Sequence, residues 1–178
     1  MRTMASRRRA LYDGDMELRR ATVEDAEAAC EVLRRSITEL CVADHEGNAE
    51  TIALWLANKT PENVRRWTVN QHLFVAAERG EILGVAALAP GGEITLNYVS
   101  PDARFRGVSK ALVARIEEAA AKLGLAAITL TSTATARRVY AAAGYAEAGP
   151  PVPGFGITQG FPMAKRIGGS AAAWRAGC

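Results

Sequence analysis

Apolar positions along this chain open on a short strand, keep helical spacing over two helices, gather into three short strands, and then mark helix and strand in turn. Residues 16–22 (MELRRAT) read as a short strand. Thr22 offers a cap hydroxyl with the acid Asp25 three residues on. Ala26, Ala29, Val32, Leu33, Ile37 and Leu40 follow at helical spacing. The run CVADHEGN breaks that pattern and reads as a loop. A second helix is expected from about 49 to 59, with Ile52, Trp55 and Leu56 on one face and Thr60-Pro61 as its stop.

The next stretch reads as three strands, at 73–77, 82–89 and 94–99. Their connections, ERGE and PGGE, are short, so the strands are expected to be antiparallel neighbours. A long helix follows with Val108, Leu112, Ile116, Ala119 and Leu123 inward, ended by Gly124. AAITLTST reads as a strand, ATARRVYAAAGY as a short helix closed by Gly144, and GITQGFPMAKRI as a last strand interrupted at Pro162. The predicted order is β-α-α-β-β-β-α-β-α-β: an α/β fold with a mixed, mostly antiparallel sheet and helices on both faces.

Composition narrows the class without naming a function. With 178 residues, 49% hydrophobic and 23% charged, the chain suits one globular domain. The net charge of +3 owes much to Arg2, Arg7, Arg8 and Arg9, so charge gives no argument for nucleic acid. Residues 1–15 are expected to be a basic flexible arm, or else upstream sequence before a natural start near Met16, with 16–167 the domain and 168–178 a flexible tail, although Trp174 could dock. Cys30, Cys41 and Cys178 form no CxxC pair, which speaks against a disulfide framework or zinc site and fits a reducing cytoplasm. Cys30 and Cys41 are expected to be buried thiols. No run approaches the ~18 apolar residues of a membrane span, and the N-terminal arginines precede no hydrophobic stretch.

The candidate chemistry lies where the third of those strands meets the long helix. A strand that ends at a helix start aims free N–H groups at one point, and the helix dipole adds positive charge there. Phe105, Arg106, Gly107, Val108, Ser109 and Lys110 would present successive N–H groups. Gly107 permits close approach, the Ser109 hydroxyl can donate, and Arg104, Arg106 and Lys110 add charge. A diphosphate suits such a cradle. Neither GxxxxGK[ST] nor GxGxxG is present, and an ordinary basic turn is the plain alternative.

Val99, Pro101, Arg104 and Gly107 follow the pattern V-x-P-x-x-[RQ]-x-x-G-x-[GA], with Ser109 in the last place. This stretch resembles motif A of the GCN5-related N-acetyltransferases. Downstream, Ala136, Tyr140 and Gly144 match the family's N-x-x-A-x-x-F-Y-x-x-x-G-F segment, with Val139 and Tyr145 similar and Thr133 in place of Asn. The resemblance covers about 16–166. It implies acetyl-CoA as co-substrate, its pyrophosphate in the cradle, and a splay between two parallel strands beside Val99. There the pantetheine would pair with the exposed edge, and the thioester carbonyl would meet an N–H near Tyr98 or Val99. Thr133 and Ala136 would contact the cofactor, a threonine hydroxyl substituting for the Asn amide.

The resemblance further implies Tyr140 as the general acid that protonates the thiolate; a core aromatic is its plain alternative. Glu93, six residues before Val99, stands where histone-acetylating relatives carry a base; it could equally be a turn residue. Asp44, His45 and Glu46 would border the acceptor pocket, His45 as a base and the acids as holders of a cationic amine, or else form a solvated loop. Water is the third candidate base. Asn97 and Thr129 could add polar contacts or be structural. Trp55 and Trp67 are expected in the core, and His72 to be structural or exposed. No metal site is expected. The expected activity is direct acetyl transfer in a ternary complex to a primary amine of a small molecule, peptide or protein. A non-catalytic acetyl-CoA sensor and a toxin-type enzyme acetylating aminoacyl-tRNA stay open, as does a homodimer.

Overall fold

The structure, a computed structural model, describes residues 16–154 and 158–168. The arm read over 1–15 lies outside the described residues, as do Trp174 and Cys178. Strand β1 (Glu17–Arg20) leads through a turn at Val23–Asp25 into α1 (Ala26–Arg35). Asp25 holds that turn: it accepts the Thr22 N–H (2.8 Å) and both arms of the Arg19 guanidinium (2.7 and 2.8 Å). Arg19 keeps the Asp25 carboxyl below the usual carboxylate range.

The helix expected to run straight to Leu40 changes character at Ser36. Residues Ser36–Leu40 form a wider, π-type turn, and α2 (Val42–His45) occupies part of the expected loop. Helix α3 (Ala49–Leu56) is capped by Asn48, which accepts the Thr51 N–H (2.8 Å). Thr60-Pro61 does more than end it. Thr60 Oγ1 accepts the Asn63 N–H (3.2 Å) and Pro61 opens α4 (Pro61–Asn70), a helix missing from the expected order. Proline suits a first turn, where its missing N–H costs nothing.

Strands β2 (His72–Glu78), β3 (Glu81–Leu88) and β4 (Glu93–Val99) are antiparallel neighbours, as expected. Arg79 and Gly80, both at positive φ (50° and 85°), turn the first hairpin. Helix α5 (Val108–Lys122), β5 (Ala127–Ser132), α6 (Arg137–Ala142), β6 (Ala146–Glu147), β7 (Val152–Pro153) and β8 (Gln159–Arg166) follow. The sheet order is β1-β2-β3-β4-β5-β8-β6, with β7 also on β8. Among the described residues only β4 and β5 pair in parallel.

The sheet buries both faces by alternation. Phe74, Ala76, Ala86, Leu88 and Ile94 pack with Val108, Leu112 and Ile116 of α5. Leu73, Val75, Val85, Ala87 and Leu96 pack with Ala29, Val32 and Leu33 of α1 and Val64 of α4. Cys30 and Cys41 are buried. Helix α5 ends as expected: Gly124 (φ 71°) donates to Ala121 O and Leu125 N–H to Ala120 O. Leu123, expected inward, is exposed because it already belongs to this turn. Pro162 does not interrupt β8. It sits opposite Thr131 in register, its carbonyl accepts the Ala148 N–H (2.9 Å), and the N–H it lacks would face that same side, away from β5.

Candidate active site

Strands β4 and β5 pair only at Glu93↔Thr129 and Ile94↔Leu130, then part. Toward its C-terminus β4 therefore has one bonded edge, on β3. Leu88 pairs with Ile94 and Ala87 with Leu96, so Thr95 is an extra residue in β4. The bulge turns Leu96 and Tyr98 toward α1, and Asn97 and Val99 toward α5. Ser100 N–H donates to Leu83 O (2.8 Å), so alternation aims the main-chain groups of Tyr98 at β3 and those of Asn97 and Val99 into the opening. Of the two N–H groups considered from sequence, that of Val99 faces the gap.

The far wall is the start of α5. After the turn Pro101–Ala103, Asp102 pairs with Arg35 of α1 (2.7 Å), which fixes the loop to the domain. Phe105 (φ 61°) and Gly107 (φ 76°) then bend the chain into the helix. No side chain caps α5, and its first bond runs from Ala111 N–H to Gly107 O (3.0 Å). The N–H groups of Val108, Ser109 and Lys110 are thus left for a ligand. Gly84 of β3 makes this seat possible: a Cβ there would stand 2.7 Å from Val108 Cγ1 and 2.9 Å from Leu112 Cδ1. A glycine inside an apolar strand signals such close approach, and that signal in EILGVAAL was there to be read.

The opening is a groove of about 410 Å³. Tyr98, Val99, Arg104, Phe105, Gly107, Val108, Ser109, Lys110, Thr133, Ala136 and Tyr140 all line it. Arg106 does not; its guanidinium pairs with Glu78 (2.8 Å) at the end of β2. Ser36 and Leu40, from the π-type turn, and Cys41, just after it, line the α1 side; wide turns of this kind often mark functional sites. Burial pushes the Cys41 thiol up to about 12, so it stays protonated and is a poor nucleophile.

Tyr140 is 5% exposed. Burial pushes its phenol up to about 12, and the neighbouring Asn97 amide offsets part of that rise. Asn97 Nδ2 donates to Ser109 Oγ (3.0 Å), while its buried Oδ1 has no partner. One side chain thus stands between the α5 start and the phenol. Burial likewise raises the Tyr98 phenol, whose oxygen accepts the Trp55 Nε1–H (3.2 Å). Trp55 is in the core as expected and Trp67 is half-buried against it.

Several sequence candidates serve the chain itself. Asp44 is buried and accepts from Ala134 N–H (2.7 Å), Thr135 N–H (3.3 Å) and the Thr135 hydroxyl (2.5 Å). It stakes down the loop that starts α6 and carries Tyr140. His45 is 1% exposed. Its Nδ1 accepts the Gly47 N–H (3.0 Å), which leaves Nε2 protonated to donate to Ile37 O (3.1 Å). Both ring nitrogens are therefore spent away from the groove, which corrects the expectation of His45 as a base facing an amine. Glu46, at φ 49°, is the exposed member of the three. Glu93 is exposed where β4 and β5 still pair, outside the groove lining. Thr133 Oγ1 accepts the Ala136 N–H (3.2 Å), so the hydroxyl that replaces an amide starts α6. His72 is half-buried beside Arg20 (2.8 Å).

A parting of two parallel strands thus lies beside an uncapped helix N-terminus, with a buried phenol lining the same groove. The sequence profile of the Acetyltransferase (GNAT) domain matches residues 31–167, and the chain belongs to that family. Solved structures agree on the fold. A GCN5-related N-acetyltransferase from Rhodopseudomonas palustris is 23% identical over 88% of this chain and 98% of its own, with a TM-score of 0.78. The PaiA N-acetyltransferase from Thermoplasma acidophilum, in complex with coenzyme A, is 20% identical over 85% and 98% (TM-score 0.71). The yncA protein of Salmonella typhimurium, with its cofactor acetyl-CoA, is 17% identical over 92% and 100% (TM-score 0.65). No curated protein matches the sequence. No helix among the described residues is long and apolar enough to cross a membrane, and no cluster of three or more metal-ligating side chains forms among them.

Proposed function

We propose that this chain moves the acetyl group of acetyl-CoA to a primary amine of a small molecule, peptide or protein, by direct attack in a ternary complex. The observation that carries the reading is one continuous groove joining the free N–H groups of α5, the unpaired edge of β4 and the buried Tyr140. The pyrophosphate sits on the N–H groups of Val108, Ser109 and Lys110, with Arg104 and Lys110 supplying charge. The pantetheine pairs with the Asn97 and Val99 main chain, which brings the thioester carbonyl to the Val99 N–H. Two structural relatives solved with CoA or acetyl-CoA support this choice of donor.

The amine nitrogen attacks the carbonyl carbon and a C–N bond forms. The Val99 N–H stabilises the resulting oxyanion. The C–S bond then breaks, and the thiolate takes the Tyr140 proton. A phenol at about 12 keeps its proton at neutral pH, the state an acid needs. The amine proton leaves through water, with Glu93 at the rim as its acceptor, because Glu93 stands outside the groove.

Free-thiol release from acetyl-CoA across a panel of amines tests the reading. Tyr140→Phe should lower kcat by roughly 10²-fold or more with CoA affinity and Tm unchanged. Full-rate Tyr140→Phe removes the acid assignment. Saturable binding without thiol release from any amine would instead make the domain a sensor.

A further inference from the structure

Phe105 is the most exposed large apolar side chain among the described residues, at 93%. A lone exposed phenylalanine says little; its backbone says more. At φ 61° it occupies the left-handed region, where a bulky side chain is a genuine outlier. Among the described residues, the other non-glycine residues at positive φ, Glu46 and Arg79, are polar residues of tight turns. A glycine would relax this position and an asparagine would be tolerated. Such strain is held where it serves a site.

The strain has a geometric result. It turns the ring outward at the lip of the groove, three residues before the free N–H groups of α5. Arg104 lays its guanidinium on the ring, 4.7 Å from the centroid. One face therefore carries a cation and the other is open. Arg106, the next residue, is tied back to Glu78 (2.8 Å), which anchors the loop from behind. A flat aromatic face beside an anion cradle is a stacking platform, and bases stack on such faces whatever their sequence.

We propose that Phe105 and Arg104 form the platform for the purine ring of the nucleotide whose pyrophosphate occupies the α5 cradle. The proposal rests on the acetyl-CoA reading. It assigns the Phe105 side chain to the base, and the main chain of this segment, with the Arg104 and Lys110 charges, to the phosphates. Arg104 then lies between base and pyrophosphate, able to serve both.

The test is calorimetry with two ligands, CoA and 4′-phosphopantetheine, which lacks the adenine nucleotide. Phe105→Ala should weaken CoA about tenfold, within the range of a lost base stack, and change phosphopantetheine less than twofold. Phe105→Trp should hold or tighten CoA. Phe105→Leu, apolar but not flat, should behave like alanine. Phe105→Gly should raise Tm by relieving the strain while still losing CoA affinity. The platform is overturned if Phe105→Ala leaves CoA unchanged, if it weakens both ligands equally, or if leucine binds CoA as well as phenylalanine. If the unaltered protein binds neither ligand, the acetyl-CoA reading falls and the platform with it.

Discussion

Gly84→Ala is the smallest change that should damage the groove from outside it. The added methyl would meet Val108 Cγ1 at 2.7 Å, Leu112 Cδ1 at 2.9 Å and Tyr98 O at 3.1 Å. Carbon atoms settle at about 3.5–4.0 Å, so the shortest contact falls about 0.8 Å short. Leu112 Cδ1 ends a flexible side chain and can swing. Val108 is β-branched in a helix, with essentially one rotamer, and Tyr98 O is main chain bonded into the sheet. Helix α5 must therefore lift off β3 at its first turn. Overpacking of this kind costs about 1–3 kcal/mol, which for a domain of this size lowers Tm by roughly 2–12 °C. The same lift moves the N–H groups of residues 108–110, so CoA should bind about tenfold more weakly. Thermal melts and calorimetry give both numbers. Val108→Ala in the Gly84→Ala background removes the blocking methyl and should restore part of each, a non-additivity expected of touching residues. Wild-type Tm and CoA affinity in Gly84→Ala, or strict additivity in the double variant, would refute the close approach of β3 and α5 as the support of the site.

Lys59→Met should stabilise the protein at pH 7 by about 1–3 kcal/mol. The Lys59 ammonium is buried, meets Asn58 Oδ1 (2.5 Å) and the Trp67 ring but no carboxylate among the described residues, and burial pulls it down to about 8. Its folded value lies below the unfolded value of 10.5, so the penalty is full below about pH 8 and fades as pH rises toward 10. Wild-type denaturant stability should thus gain from this group over that window, and Lys59→Met should flatten the gain. Asp25→Asn should cost about 1 kcal/mol at neutral pH, through the turn into α1. Because Arg19 lowers the Asp25 carboxyl, that contribution is present above its unfolded value and lost as pH falls through the lowered folded one. Acid titrations of the two proteins should converge there; parallel curves would rule out the pair. CoA affinity should fall with added salt and fall less steeply in Arg104→Gln, since exposed charges are screened; a salt-independent affinity would remove Arg104 from the phosphate site.

Sequence carried the sheet well because β2 and β3 are short continuous apolar runs, buried on both faces, and the turns between strands are short and glycine-bearing. The cradle was legible because free N–H groups follow from a strand running into a helix, whatever surrounds them. Other features depend on tertiary facts a linear reading does not hold. Helix α4 was missed because PENVRRWTVN buries only Val64, and because Pro61 is as good a stop for α3 as a start for α4. The bulge at Thr95 changes which β4 residues share a face, and nothing in GEITLNYVS announces it. Asp44 and His45 looked like solvent-facing chemistry because charged loops usually are. Their burial follows from partners 90 residues away for Asp44 and eight residues back for His45, pairings that spacing does not encode. Arg106 matched a phosphate site by position, yet Glu78 claims it across the hairpin.

The most direct measurement is transfer itself: acetyl-CoA carrying a labelled acetyl group, the full chain, and a panel of primary amines, with free thiol and labelled product quantified together. The account predicts amine-dependent thiol release matched one for one by label on the amine nitrogen, abolished or cut at least about 10²-fold in Tyr140→Phe. Label retained on CoA with every amine, despite saturable CoA binding, would contradict it.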